Sequence, residues 1–332
     1  MVVRVAINGF GRIGRMVLKA CLENKKIKVV AINDLGDPKL LAHLLEYDSV
    51  QPLKVVKKAT AAAKSITVNG QKIAFYQERD PAALPWAEHK VDVVCESTGR
   101  FRTYDSAMQH VKAGAKRVLV SAPCKGDDKR VRTVVVGVNE HTIRKSDKVF
   151  SNASCTTNSL APLVKTLDEA FGIKSGFFTT IHAYTSTQNI VDGPSKDWRR
   201  ARAAAVNIIP TTTGAAIALE KVMPKMKGKL DGIAVRVPIP VGSITDLTVQ
   251  LKKKTTSEKI NEAFKRSAKK MKGVLDYSDE ELVSSDIVGR ASSVTFDSKM
   301  TRANGNLVKI SGWYDNEWGF SNRMVDLMAK LK

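Results

Sequence analysis

No apolar run in the 332-residue chain approaches the roughly 18 residues that a membrane-spanning helix needs. Cysteine is scarce: there are four, Cys21, Cys95, Cys124 and Cys155, and their spacing suits neither a disulfide framework nor a metal site. The five histidines (His43, His89, His110, His141 and His182) include no H-x-x-x-H pair, which removes a common helical zinc signature. There is no internal repeat, low-complexity tract or obvious disordered linker. The chain starts directly in a strand and a glycine turn, so no cleavable signal is expected. These absences point to a soluble protein of a reducing, cytoplasmic compartment, with no membrane partner and no metal.

Acidic residues also fall short, with 33 Asp and Glu against 54 Lys and Arg, a formal charge of +21. Such an excess suits either a polyanionic partner or anionic substrates on a basic, solvated surface. Its densest stretch, 252–272, has nine basic residues and two acids. There Thr255 and Glu258 read as a capping box. Ile260, Ala263, Phe264, Ala268 and Met271 form one helical apolar stripe that leaves the lysines outside. A solvated helix face is the simpler reading, because no aromatic-interleaved basic motif is present. A nucleic-acid-binding protein stays as the alternative of a different class. A specific nucleic-acid partner is not expected, whereas weak, salt-sensitive adhesion to polyanions is.

What is present is a chain of about two domains' length, with 43% hydrophobic residues, enough for substantial cores. A β-branched run at 2–7 leads into Asn8-Gly9-Phe10-Gly11-Arg12-Ile13-Gly14-Arg15, and Met16, Val17, Leu18, Ala20, Cys21 and Leu22 then read as a helix. Strand, G-x-G-x-x-G and helix together form a dinucleotide fingerprint. Gly9 permits a tight turn, Gly11 the close approach of a pyrophosphate, and Gly14 close helix–strand packing. Asp34 ends the next strand, 20 residues after Gly14, where a carboxylate accepts hydrogen bonds from a ribose diol and repels a 2′-phosphate. The cofactor expected is NAD.

The first 150 residues alternate strand and helix. Helices are expected at 38–47 and 104–113. Strands are expected at 66–68 and 72–76 around Asn69-Gly70, a hairpin signal, and at 91–95, 117–120, 134–138 and 148–150. This is a doubly wound α/β Rossmann pattern, whose ligands bind beyond the carboxyl ends of the strands. Thr98, Gly99 and Ser121 sit where they meet a cofactor, or are ordinary polar residues at strand ends. From residue 151 the texture changes to an α+β domain on a largely antiparallel sheet, with strands at 176–182, 232–237, 245–251, 292–296 and 307–314. The expected domains are 1–150, joined by a C-terminal helix at 318–332, and 151–317. The segment 183–210 is long for a connection, which marks it as functional.

Cys155 lies in Ser-Asn-Ala-Ser-Cys-Thr-Thr-Asn (151–158), at the threshold of a helix marked by Leu160, Leu163, Val164, Leu167 and Phe171. Ser154 suits the N-cap. Backbone N–H groups and the helix dipole favour a thiolate there. The local pattern alone leaves a reactive and a structural cysteine equally open. His182 ends the 176–182 strand, and an imidazole beside a thiol holds it as an ion pair and moves its proton. A strand-end histidine by itself is more often structural.

The whole chain resembles the phosphorylating glyceraldehyde-3-phosphate dehydrogenase family. The resemblance rests on the 8–15 and 151–158 motifs, Arg199-Arg-Ala-Arg-Ala-Ala-Ala205, Asn207-Ile-Ile-Pro210, Thr213-Gly-Ala-Ala216, Arg236-Val-Pro238 and Trp313-Tyr-Asp-Asn-Glu-Trp-Gly-Phe-Ser321, all in the family's order. It implies Cys155 as nucleophile and His182 as its base. Thr185, Thr187 and Arg236 would hold the phosphate of glyceraldehyde 3-phosphate. Ser154, Thr156, Thr213, Gly214 and Arg200 would hold inorganic phosphate. Asn316 would bind the nicotinamide carboxamide, and Arg12 and Ile13 would lie along the pyrophosphate. It further implies a homotetramer with the 183–210 segment at subunit contacts. The family includes erythrose-4-phosphate dehydrogenases, the alternative within the same class. Two departures matter. Many relatives carry a second cysteine four residues after the nucleophile, where this chain has Ser159. Cys124 replaces a residue that is usually small or hydroxylic, and is either a passive substitution or a second reactive thiol.

Overall fold

The structure is a computed structural model, and it describes residues 2–126 and 128–331. Two compact units divide the chain. The first comprises 1–134, 140–153 and 321–332, and the second 135–139 and 154–320.

The first unit contains β1 (Val3–Asn8), α1 (Arg12–Leu22), β2 (Ile27–Asn33), α2 (Pro38–Glu46), β3 (Ala59–Ala62), β4 (Ser65–Val68), β5 (Gln71–Tyr76), β6 (Val93–Glu96), α3 (Tyr104–Lys112), β7 (Arg117–Val120), β8 (Val131–Thr133) and β9 (Val149–Ser151). Its nine-stranded sheet runs β3-β4-β5-β2-β1-β6-β7-β9-β8. Every pairing from β5 to β8 is parallel, and only β3–β4 and β4–β5 are antiparallel. The chain leaves β1 first to one side and later to the other, which makes its carboxyl end the switch point where ligands bind. Local chemistry fixes the elements. Asp37 caps α2 through Lys39 N and Leu40 N, with Pro38 at the first helical position. Asn69 and Gly70, at φ +48° and +85°, make the mirror-image turn a two-residue hairpin needs. Trp86, Val94, Ala107, Val118 and Val149 join one buried cluster of this unit.

The second unit contains α4 (Cys155–Phe171), β10 (Ile173–Ala183), β11 (Ile209–Thr212), α5 (Ala215–Val222), β12 (Leu230–Val237), β13 (Ser243–Leu251), α6 (Ser257–Lys270), β14 (Leu275–Ser278), β15 (Val294–Asn304) and β16 (Leu307–Tyr314). Its seven-stranded sheet runs β11-β12-β10-β13-β16-β15-β14 and is largely antiparallel, with β10–β12 and β14–β15 the parallel pairs. Alternation along β10 buries Phe178, Thr180 and His182 and leaves Phe177 exposed. Phe264 of α6 stacks on Phe296 of β15 with ring centroids 3.8 Å apart. The closing helix, α7 (Trp318–Lys330), begins in the second unit and ends in the first.

Two expectations need correction. Residues 134–138 are a turn, with β8 just before them. Val134 N still bonds Ser151 O of β9, but Gly137 then takes φ +82°, Val138 N bonds Val135 O and Asn139 Oδ1 accepts Val135 N, so Val135, Val136 and Val138 are buried outside any strand. The cap of α6 is Thr256, whose hydroxyl accepts Lys259 N, in place of Thr255. The sequence reading also missed β11, α5 and β14. In β11, Pro210 breaks the strand pattern and is tolerated because the strand is at the sheet edge.

Candidate active site

The first unit holds the glycine turn. Gly9 takes φ +93°, and a Cβ there would lie 2.6 Å from Thr98 N. A Cβ on Gly14 would lie 2.1 Å from Gly9 O, so helix and turn touch through backbone alone. Gly11 differs: a Cβ there meets nothing within 4 Å, so this glycine leaves open space. Gly11 is also the N-cap of α1, and no side chain caps that helix start. An open glycine before an uncapped helix N-terminus is a diphosphate cradle. Asp34 faces the same turn, where Oδ2 accepts Phe10 N at 2.6 Å and Oδ1 accepts Gly36 N at 2.8 Å. Each oxygen keeps a lone pair for a diol. Asn8, Gly9, Gly11, Asp34, Leu35, Ser97 and Thr98 help line a cleft of ≈ 280 Å³. These residues fit the adenosine and diphosphate of a dinucleotide.

The other nucleotide candidates divide. Gly99, at φ +73°, leaves its Cβ direction open, and Ser121 follows β7 with its N–H on Glu96 O. Thr98 turns its hydroxyl inward to Glu96 Oε1 at 2.5 Å. The Arg12 guanidinium goes to Asp48 at 2.6 Å, so Arg12 and Ile13 offer the diphosphate backbone rather than side-chain charge. Although burial opposes it, the Asp48 carboxyl is held at about 2 by Arg12 and by the N–H groups of Gln51 and Val50.

The second unit holds the thiol. Ala153, two residues ahead of Cys155, takes φ +55°, a strained conformation for a residue with a Cβ. Ser154 then caps α4, its Oγ accepting Thr157 N at 3.1 Å. Cys155, the first residue of the helix, is partly buried, and its Sγ lies 3.4 Å from Nε2 of His182 at the end of β10. His182 Nδ1 is 2.6 Å from Ala183 O and 2.8 Å from Arg236 Nη1, which also bonds Ala183 O. In the tautomer that donates Nδ1–H to the carbonyl, Arg236 Nη1 donates to that carbonyl alone and only lies against the ring, and Nε2 keeps a lone pair facing the thiol. Arg236 reaches the imidazole because β12 pairs in parallel with β10 and sets Arg236 opposite His182. Its buried Nε has no hydrogen-bond partner among the described residues, so this guanidinium has a donor to spare for an anion.

Around that core, Thr185 and Thr187 share a 2.8 Å hydroxyl contact. Arg200 donates Nε to Thr211 Oγ1 at 2.9 Å, and Thr213 Oγ1 accepts Ala215 N beside Gly214, the cap of α5. Asn316 is buried, with its Oδ1 accepting Gly242 N and Ser243 Oγ, which leaves the Nδ2 amino group to donate. Thr156 is buried too, its hydroxyl 3.1 Å from Tyr314 OH.

Electrostatics qualifies the expectation of an ion pair. Burial pushes the Cys155 thiol up, and Arg236 and the Thr156 N–H pull it back down. Burial, then the charges of Arg236 and Arg200, bring His182 down to about 3. Desolvation therefore outweighs the helix start at the thiol, and Arg236 lowers the proton affinity of both partners. The same arginines make the pocket a strong anion site.

Sequence reading missed three groups. Tyr314, buried within its motif, bonds Thr156 and Thr180 at 3.1 and 2.7 Å, with its ring edge-on to His182. Glu96 is buried under the glycine turn, binding Asn8 Nδ2, His110 Nε2 and Thr98 N. Asp197 accepts the Thr211 hydroxyl at 2.6 Å behind Arg200. The first lay in a quoted motif, the second in the Glu-Ser-Thr-Gly strand end, and the third gave no sequence signal.

Among the described residues no group of three or more His, Cys, Asp or Glu is placed to hold a metal, and no helix is long and apolar enough to cross a membrane. Comparison with known proteins finds a family match in each unit. Residues 3–104 match the family model described as glyceraldehyde 3-phosphate dehydrogenase, NAD binding domain, and residues 154–316 match the C-terminal domain of the same enzyme. Glyceraldehyde-3-phosphate dehydrogenase 2 of Streptomyces avermitilis is 54% identical over 331 residues, 98% of each chain. Glyceraldehyde-3-phosphate dehydrogenase of Streptomyces coelicolor is 53% identical over 98% of each chain. Glyceraldehyde-3-phosphate dehydrogenase 2 of Bacillus subtilis is 52% identical over 100% of this chain and 97% of its own. The chain belongs to the glyceraldehyde-3-phosphate dehydrogenase family of oxidoreductases, and its cofactor is NAD.

Proposed function

We propose that the chain oxidises glyceraldehyde 3-phosphate to 1,3-bisphosphoglycerate through acyl chemistry on Cys155. The observation that carries this reading is the Cys155–His182 contact at 3.4 Å, with Arg236 on the same imidazole and its Nε unpartnered. Thr185, Thr187 and Arg236 hold the substrate phosphate. The imidazole, 3.4 Å from the sulfur, takes the thiol proton as the sulfur attacks. The Cys155 sulfur adds to the aldehyde carbon while protonated His182 returns its proton to the carbonyl oxygen, which leaves the imidazole neutral and forms a hemithioacetal. Its oxygen lies against the Cys155 N–H at the helix start and against His182 Nε2. His182 removes the hydroxyl proton as hydride leaves the carbon. Bound NAD supplies the hydride acceptor. When NAD is bound, Asn316 would donate Nδ2 to its carboxamide, and Gly9, Gly11, Gly14, Ile13 and Asp34 would hold the diphosphate and ribose.

The resulting thioester is opened by inorganic phosphate, held by Arg200, Thr213, Gly214, Ser154 and Thr156. Guanidinium suits both anions because its planar fork donates two parallel hydrogen bonds. The chain works as a homotetramer. Ile190, Val191, Trp198, Val206 and Ile208 leave the 183–210 segment largely exposed, Trp198 at 89%, a concentration of apolar surface that association would cover.

Steady-state NADH formation with glyceraldehyde 3-phosphate or erythrose 4-phosphate, with and without inorganic phosphate, tests the substrate. Phosphate-dependent turnover preferring the triose is expected. Preference for the tetrose without phosphate dependence would overturn the reading in favour of an erythrose-4-phosphate dehydrogenase.

A further inference from the structure

We propose that Asp197 is a positioning residue for the attack of inorganic phosphate, acting on Arg200 through the hydroxyl of Thr211. The inference rests on the reading of Arg200 given above and extends it to two residues that no resemblance assigned.

Asp197 sits in the 183–210 segment with both carboxylate oxygens in use. Its Oδ1 accepts Arg199 N at 2.9 Å and Arg200 N at 3.3 Å, which fixes the backbone that carries the arginine. Its Oδ2 accepts the Thr211 hydroxyl at 2.6 Å. A hydroxyl has one proton, so donation to Asp197 turns its lone pairs the other way. There Thr211 Oγ1 accepts Arg200 Nε at 2.9 Å. The Arg200 guanidinium also donates Nη2 to Thr212 O at 3.2 Å. Two of its nitrogens are thus anchored on β11, and Nη1 keeps its donors for an anion.

Polarity along this chain runs one way: carboxylate, hydroxyl, guanidinium. Thr211 is 7% exposed, so its hydroxyl is committed to these two partners. The carboxylate itself stays 3.5 Å from Arg200 Nε, which aims the guanidinium without closing a short ion pair over it. Arg200 keeps enough field to lower the proton affinity of His182, an independent sign that its charge reaches the reacting groups.

The step served is phosphorolysis. A phosphate oxygen adds to the thioester carbonyl, the C–S bond breaks, and the electron pair returns to the Cys155 sulfur. Hydride transfer precedes this, and in the reading above Arg200 holds no part of the aldehyde during it. A positioning role therefore separates the two half-reactions, whereas general damage to the fold weakens both.

The test compares Thr211→Val, Asp197→Asn and Thr211→Ser with the parent enzyme. Two quantities are measured: the KM for inorganic phosphate, and the rate of the first-turnover NADH burst without phosphate. Thr211→Val and Asp197→Asn are expected to raise the phosphate KM about tenfold, the size of a lost hydrogen bond to a charged group. Their burst rates are expected to stay within about twofold of the parent, and Thr211→Ser to restore a normal phosphate KM. An unchanged phosphate KM in Thr211→Val and Asp197→Asn, with a phosphate-dependent parent, would overturn this inference alone. A burst that slows as much as the KM rises would also overturn it. A parent enzyme whose turnover ignores phosphate would overturn both the inference and the reading beneath it.

Discussion

The two anion sites of this chain are built from different material. In the first unit the glycine turn offers backbone to a diphosphate, and the carboxylates Asp34 and Glu96 beside it are already bonded to N–H groups, Asp34 to Phe10 and Gly36 and Glu96 to Thr98. In the second unit Arg236 and Arg200 carry full charges beside the thiol, and buried Arg236 Nε has no partner among the described residues. The first arrangement meets an anion with neutral backbone donors at a helix start. The second makes proton affinity depend on whether an anion is present, which suits a site that must move protons only when substrate is there.

That contrast can be broken in order of expected effect. His182→Asn removes the only imidazole at the thiol and is expected to lower kcat about a thousandfold while leaving the NAD KM near normal. An equal loss in both would merge the two sites into one. In the glycine turn, Gly14→Ala forces a Cβ against Gly9 O and is expected to destabilise the protein by about 3 kcal/mol in chemical unfolding. Gly11→Ala places its Cβ in open space, so stability should hold while the NAD KM rises. Equal unfolding midpoints for the two variants would contradict the cradle geometry.

Arg236→Leu tests the charge coupling. Arg236 lowers the proton affinity of both Cys155 and His182, so its removal raises both. The pH profile of Cys155 alkylation in the ligand-free enzyme should move to higher pH, and a move to lower pH would show that the arginine acts otherwise. The smallest effect concerns oxidation. Ser159 lies one turn after Cys155, buried, with its hydroxyl 2.9 Å from Thr245 Oγ1. Peroxide-treated enzyme should show no link from Cys155 to position 159 by peptide mass mapping. Ser159→Cys should gain one, and its failure to do so would mean that the helix start is too rigid to bend.

Backbone sites are legible because their chemistry forces residue types at fixed spacing. Gly9, Gly14 and Asp34 could be placed from the sequence since a Cβ at either glycine collides with backbone, and β2 must end beside the turn. The start of α4 was legible for the same reason, with a serine cap and then an apolar stripe. Side-chain sites depend on register. Nothing local says that Arg236 lies opposite His182; that follows from the β10–β12 pairing, between strands 54 residues apart. Tyr314, Glu96 and Asp197 escaped because each acts through a hydroxyl or amide distant in sequence. The run 134–138 misled because hydrophobicity reports burial, and a turn buries valines as well as a strand does. The thiolate expectation overlooked desolvation, a cost set by surroundings the sequence does not display.

The central claim is that Cys155 carries the acyl group and that phosphate discharges it. Enzyme mixed with NAD and glyceraldehyde 3-phosphate, without phosphate, should be quenched in acid and its peptides weighed. The account predicts the glyceroyl phosphate mass on the Cys155 peptide, one NADH per active site, loss of that mass on adding inorganic phosphate, and none of it in Cys155→Ser. NADH formed with no mass on Cys155, or an adduct that phosphate leaves untouched, would contradict it.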